Sequence, residues 1–233
     1  MNRRELLSTV ITGTALSALA SGAAAQTPAS PGAWAIKALP FDSKKLKGLS
    51  EKLLVSHHDN NYAGAVRRIG QIQQMLAGLP ANAPGFQLKG LKMEELIATN
   101  SAILHEEYFD NLGGDGKASG RLAQAIGSEF GGFDKWEQGF RATSSALGGG
   151  SGWAILNFNL RDGKLHNYIA FDHTDNVAFG RPILVNDMFE HAYHMDFGSN
   201  AAAYVDAFMQ NVNWDEANRR FDEATKLYAA IRR

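Results

Sequence analysis

Gly148-Gly149-Gly150-Ser151-Gly152-Trp153 is a stretch that no α-helix tolerates, because glycine gives up the most backbone freedom when it is made helical. It divides the chain into two kinds of pattern. Before it, apolar residues recur at helical spacing through Leu53, Leu54, Val66, Ile69, Ile72 and Met75, and again through Leu96, Ile103 and Leu104. After it, Trp153–Leu160 alternates as a strand, Arg161-Asp162-Gly163-Lys164 signals a hairpin turn, and Leu165–Phe171 pairs back. A third strand is expected over Ile183–Asp187.

Helix punctuation fills in the rest. Ser50 is a good N-cap for a first helix that runs to Gly78. Leu79–Gly90, broken by Pro and Gly, reads as a loop, and a second helix is expected from about Leu91 to Leu112, stopping at Gly113-Gly114. Two shorter helices follow, about Ser119–Phe130 and Phe133–Ser145. The tail is helical from about Asn200 to Arg233, with a break near Asn213-Trp214. The fold class is therefore α+β. An N-terminal antiparallel helical hairpin (residues 40–115) precedes a domain with a small three-stranded antiparallel sheet flanked by helices (residues 116–233).

The first residues do not fit this pattern. A charged start, a short apolar run and the small-residue tail Ala23-Ala24-Ala25 read as an export signal over residues 1–25, and Arg3-Arg4 before Leu6-Leu7 gives it a twin-arginine character. The run is too short to span a bilayer, so the expected location is the periplasm, with no membrane attachment once the signal is removed. An ordinary secretory signal with incidental arginines is the other reading. Residues 26–39, with Pro28, Pro31 and Gly32, read as a flexible lead-in. A formal net charge of −1 with no basic patch argues against nucleic acid as a partner. The chain has no cysteine, which rules out disulfides, iron–sulfur clusters and thiolate-bound zinc.

Asp187-Met188-Phe189-Glu190-His191 places a carboxylate and an imidazole where one ion can reach both, if a strand end passes there into a first helical turn. An oxygen and a nitrogen donor together favour iron, manganese or zinc over calcium. The same pair also reads as an N-cap aspartate followed by a surface histidine. Each hairpin helix adds a candidate, His57 or His58 on the first and His105 on the second. Three imidazoles and one carboxylate, drawn from both halves, would fix a single metal at their boundary.

Several segments resemble the iron/manganese superoxide dismutase family along almost all of the mature chain. Leu39-Pro40-Phe41-Asp42 is similar to its opening, Asn100–Phe109 to its second ligand helix, and Gly150-Ser151-Gly152-Trp153 to its entry into the sheet. Asp187–Tyr193 matches the D-x-W-E-H-A-Y signature except at Phe189, and Asn213-Trp214-Asp215 matches a late V-N-W. The resemblance implies His57, His105, Asp187 and His191 as ligands of one iron or manganese ion per chain, with His58 replacing His57 if the register shifts by one. It implies dismutation of superoxide to oxygen and hydrogen peroxide, and a homodimer or a tetramer in which Glu190 reaches across to the ligand histidine of the other subunit. Trp153, Phe189 and Trp214 would form an aromatic shell around the site.

The neighbourhood of the site departs from the family. The position of its solvent-holding Gln on the second helix is Ser101, and the alternative position in the sheet falls at or near His173, which is expected to take over the hydrogen bond to bound solvent; a loop histidine exposed to water is the other reading. The family's gateway Tyr is Ala65, its companion His is Asn61, and the Tyr that pairs across the dimer is His194. Counted as an ideal α-helix, Tyr62 lies about 140° from His57 and does not fill the gap. These changes leave a second expectation open, a metal-binding dimer on the same scaffold with little or no dismutase activity.

Overall fold

The computed structural model describes residues 34–175 and 177–232. The segment read as an export signal, and the lead-in up to residue 33, lie outside the described residues. Residues 34–233 form one compact unit that takes in both the hairpin half and the sheet half of the sequence.

The first long helix has a fault in it. α1 (Glu51–Ser56) begins where Ser50 Oγ accepts from Leu53 N–H at 3.1 Å, as the N-cap rule expects. The carboxylate of Asp196 in turn accepts from both Ser50 N and Ser50 Oγ, each at 2.7 Å, which ties this helix start to the late part of the chain. His57–Tyr62 is then a π-helical turn before α2 (Ala63–Ala77) resumes. A π turn inserts an extra residue into the helical register, so offsets counted at about 100° per residue do not hold across it.

α3 (Gly85–Asp110) starts six residues earlier than the expected Leu91. Pro84 sits just ahead of it in extended conformation, where a fixed φ and missing N–H do no harm, and Gly85 and Gly90 are absorbed into the helix. Phe86, Leu88, Met93 and Leu96 are exposed, so no buried stripe marks this turn in the sequence. α4 (Gly120–Phe130) and α5 (Phe133–Ser145) fall where expected.

The sheet contains β1 (Trp153–Asn159), β2 (Lys164–Ala170) and β3 (Gly180–Asp187), all antiparallel, in the order β2-β1-β3. Gly152 is required at its entry: φ is +143°, and a Cβ there would lie 2.5 Å from Ala170 O. The register sets Trp153 opposite both Ala170 and Asp187, so the central strand delivers an indole to the end of β3. One side of the sheet meets α5 and α8, where Trp136 Nε1 donates to Asn167 Oδ1 at 3.1 Å and Phe158 packs on Phe221 and Tyr228. The other side faces α3 across a cavity of about 660 Å³ lined by Ile103, Leu104, Ile155 and Tyr168.

A 3₁₀ turn (Glu190–Ala192), α6 (His194–Phe197), α7 (Ala201–Gln210) and α8 (Trp214–Ile231) complete the chain. Asn200 and Asn213 cap α7 and α8 through their side-chain oxygens. Arg220 of α8 is 1% exposed and forms ion pairs with Glu107 at 2.5 Å and Glu216 at 2.8 Å. It also donates to Glu107 O and Asn111 Oδ1, which locks α8 to the end of α3. No helix among the described residues is long and apolar enough to cross a membrane.

Candidate metal centre

Four side chains from four elements of the chain converge. His57 comes from the π turn, His105 from α3, Asp187 from the last position of β3, and His191 from the 3₁₀ turn just beyond. One nitrogen or oxygen from each lies within 4.8 Å of all the others. Asp187 Oδ2 is the focus, with His57 Nε2 at 3.0 Å, His191 Nε2 at 3.2 Å and His105 Nε2 at 3.5 Å.

The carboxylate is aimed by its surroundings. Phe189 N–H donates to Asp187 Oδ1 at 2.9 Å, which leaves Oδ2 turned toward the imidazoles. Tyr204 Oη donates to Asp187 O at 2.7 Å, and Tyr108 Oη lies 3.2 Å from the Tyr204 hydroxyl. His105 is aimed from its own helix. Its Nδ1 lies 2.6 Å from Ser101 O, a pure acceptor, so Nδ1 carries the proton and Nε2 presents a lone pair. That Nε2 is buried and has no hydrogen-bond partner, so an electron pair is held ready for a cation.

The electrostatics favour the same use. Burial pushes the imidazoles of His57 and His105 down, His105 to about 3, so both stay neutral and able to coordinate. Burial alone would raise Asp187, but the charge and hydrogen bonds of His191 and His57 outweigh it and hold the carboxyl below its usual range. Burial alone would likewise lower His191, but Asp187 beside it wins and raises it. A cation would displace the proton that the Asp187 carboxylate helps His191 to hold. Three neutral imidazoles with one anionic oxygen form a donor set that suits a first-row metal, and the residues present fit iron or manganese.

His191 is the opening. Its side chain is 26% exposed while those of His57, His105 and Asp187 are at most 1%. The walls are aromatic. Phe109 packs on His57 with ring centroids 5.0 Å apart, Tyr108 at 5.1 Å, and Trp153 stands edge-on to His105 at 5.1 Å. Tyr108 and Phe109 received no role in the sequence reading, although three and four residues beyond His105 they share its helix face. Trp214 lies elsewhere, against Phe133 and Trp136.

His58 stands outside the cluster: Nε2 contacts Lys37 O and Nδ1 contacts Asp59, both at 2.7 Å. Tyr62 is also turned away, its hydroxyl accepting from Lys37 N and donating to Glu106 Oε1 at 2.9 Å. His173 is at the rim, its ring stacked on Phe189 at 4.6 Å and 6.1 Å from His105. Trp153 Nε1 donates to His173 Nδ1 at 3.1 Å; an indole only donates, so Nδ1 is the acceptor and Nε2 carries the proton. Glu190 is exposed, beside His191, and its carboxylate has no hydrogen bond or ion pair among the described residues.

Such a centre, on a helical hairpin and a three-stranded sheet, defines a mononuclear metalloprotein of the nitrogen–oxygen donor class. The family model for iron/manganese superoxide dismutases, C-terminal domain, matches residues 118–220. An iron superoxide dismutase of Cupriavidus metallidurans is 54% identical over 192 residues, covering 82% of this chain and 98% of that protein. An iron superoxide dismutase of Aquifex pyrophilus is 33% identical over 198 residues, 81% of this chain and 92% of the relative. A manganese superoxide dismutase of Halobacterium salinarum is 32% identical over 195 residues, 82% and 96% respectively. The chain belongs to the iron/manganese superoxide dismutase family.

Proposed function

We propose that this protein is a superoxide dismutase whose single iron or manganese ion is held by His57, His105, Asp187 and His191. The observation that carries the reading is the convergence of three imidazole nitrogens on Asp187 Oδ2 with a buried, unpartnered lone pair on His105 Nε2. Iron is the first choice of metal, because the relative that is 54% identical is named for iron.

A bound redox ion would supply the alternating one-electron chemistry by which two superoxide ions and two protons from solvent give dioxygen and hydrogen peroxide. The protein's own residues do the rest. Burial keeps His57 and His105 neutral as donors, Phe109, Trp153 and Phe189 keep bulk water away, and His191 marks the side open to a small anion. His173, proton on Nε2, is the donor to solvent at the centre, the place that Ser101 is too short to reach. The exposed Glu190 is the group that reaches His191 of the partner subunit in a homodimer. Export to the periplasm through the twin-arginine segment is part of the same reading, and it rests on Arg3-Arg4 and Ala23–Ala25.

Superoxide decay followed by stopped flow, with the protein loaded separately with iron and with manganese at matched occupancy, tests this. Decay that scales with metal content is expected. Full occupancy with no decay under either metal would turn the reading to the metal-binding dimer without activity.

A further inference from the structure

We propose that Asn100 is a positioning residue for the reaction: its carboxamide pins the β2–β3 connection to α3 and so fixes where His173 sits. Asn100 Nδ2 donates to the main-chain oxygen of His173 at 2.6 Å, across 73 residues of sequence. The main-chain oxygen of the next residue, Ser101, accepts a hydrogen bond from His105 Nδ1–H on the same helix. Neighbouring positions on α3 thus hold a metal-ligand candidate and its solvent-donor candidate in one frame.

The division of labour follows from what each group can do. Trp153 acts on the imidazole ring: its indole N–H selects the tautomer of His173, whose ring stacks on Phe189, but a bond to the ring alone leaves the main chain at His173 its own freedom. Asn100 acts on the backbone and removes that freedom. An amide N–H to a carbonyl is the bond that only a donor side chain at this position can make, and α3 is a long helix anchored at its far end by Arg220. A displacement of about 1 Å at such a group is enough to cost large factors in rate. Asn100 also lines the cavity between α3 and the sheet, so a substitution there has room and does not disturb a packed core.

The inference rests on the proposed role of His173, and its test separates the two. The variants are Asn100→Leu, which removes the donor, and Asn100→Asp, which keeps the shape and sets an acceptor against the carbonyl. The first readout is ¹⁵N NMR of the imidazoles in the metal-free protein. Wild type should show His173 with Nδ1 bare and Nε2 protonated, and both variants should lose that single sharp pattern. The second readout is the midpoint potential of the iron-loaded protein, which should shift in both variants at unchanged metal content, with about a tenfold fall in superoxide decay rate. His173 signals and potential identical to wild type in both variants would overturn the proposal. A wild type without dismutase activity, but with His173 signals that respond to Asn100, would overturn the proposed function and leave standing only the placement of His173 by Asn100.

Discussion

His57 Nε2 lies 3.0 Å from Asp187 Oδ2, a contact that joins a π turn in the first helix to the end of the last strand, 130 residues away. His105 and His191 close on the same oxygen from two other elements. A centre of this kind loses its ion when any one member is removed. His191→Ala and Asp187→Ala should each purify with little iron or manganese by plasma mass spectrometry, while His58→Ala should keep wild-type content. Full metal in either of the first two variants would refute the assignment of that residue.

Trp153 holds the tautomer of His173 through one N–H. Trp153→Phe keeps the aromatic wall and deletes that donor from the half-buried His173, at a cost of about 0.5–1.5 kcal/mol in stability. Its midpoint potential should move and its pH–rate profile should shift relative to wild type. A profile and potential that superimpose on wild type would show that the indole N–H has no part in tuning the site.

Burial pushes His57 and His105 down in the folded, metal-free protein, so the unfolded chain takes up protons first as the pH falls. The stability of the metal-free protein should therefore decline as pH drops below about 6.5, the ordinary histidine value. His191 acts in the opposite sense: its raised value gives a contribution fully present below about 6.5 and lost as pH rises through its folded value, so it is constant below about 6.5 and does not offset the fall there. Thermal melts of the metal-free protein from neutral to mildly acid pH check this, and His105→Asn should flatten the fall. A melting temperature that holds constant or rises on acidification would contradict the account.

Arg220 is enclosed with Glu107 and Glu216 where α8 meets α3. Arg220→Met should cost about 3 kcal/mol, because it leaves the mostly buried Glu107 with only the half-exposed Arg181, 3.7 Å away, as counter-charge. That is roughly a 10 °C fall in melting temperature for a chain of this size. Burial already raises the Glu107 carboxyl, so protonation should relieve the variant and the gap to wild type should narrow at acid pH. A variant that melts with wild type would show the ion pair to be dispensable.

The parts of the fold that glycine and strict alternation mark were legible before any coordinates. Gly148–Gly152 separates helix from sheet, α4, α5, β1 and β2 fall where their patterns place them, and β3 ends at Asp187 as expected but starts three residues earlier, at Gly180. The start of α3 was hidden because its first turns bury little, so Pro84, Gly85 and Gly90 looked like breakers with nothing to oppose them. The π turn leaves no periodic signature, since six residues are too few to reveal a change of pitch. The four converging groups were readable by residue type and by likeness to a family. Asn100 and the Trp153–His173 bond were not, because both depend on a loop folding back over α3, a relation that no spacing encodes.

One redox ion is expected among His57, His105, Asp187 and His191. An anomalous difference map at the iron edge, from crystals of the iron-loaded protein, tests it directly. One peak per chain is expected, within about 2.0–2.2 Å of a nitrogen from each histidine and an oxygen of Asp187. A peak elsewhere, or iron bound in solution with no peak among these four side chains, would contradict it.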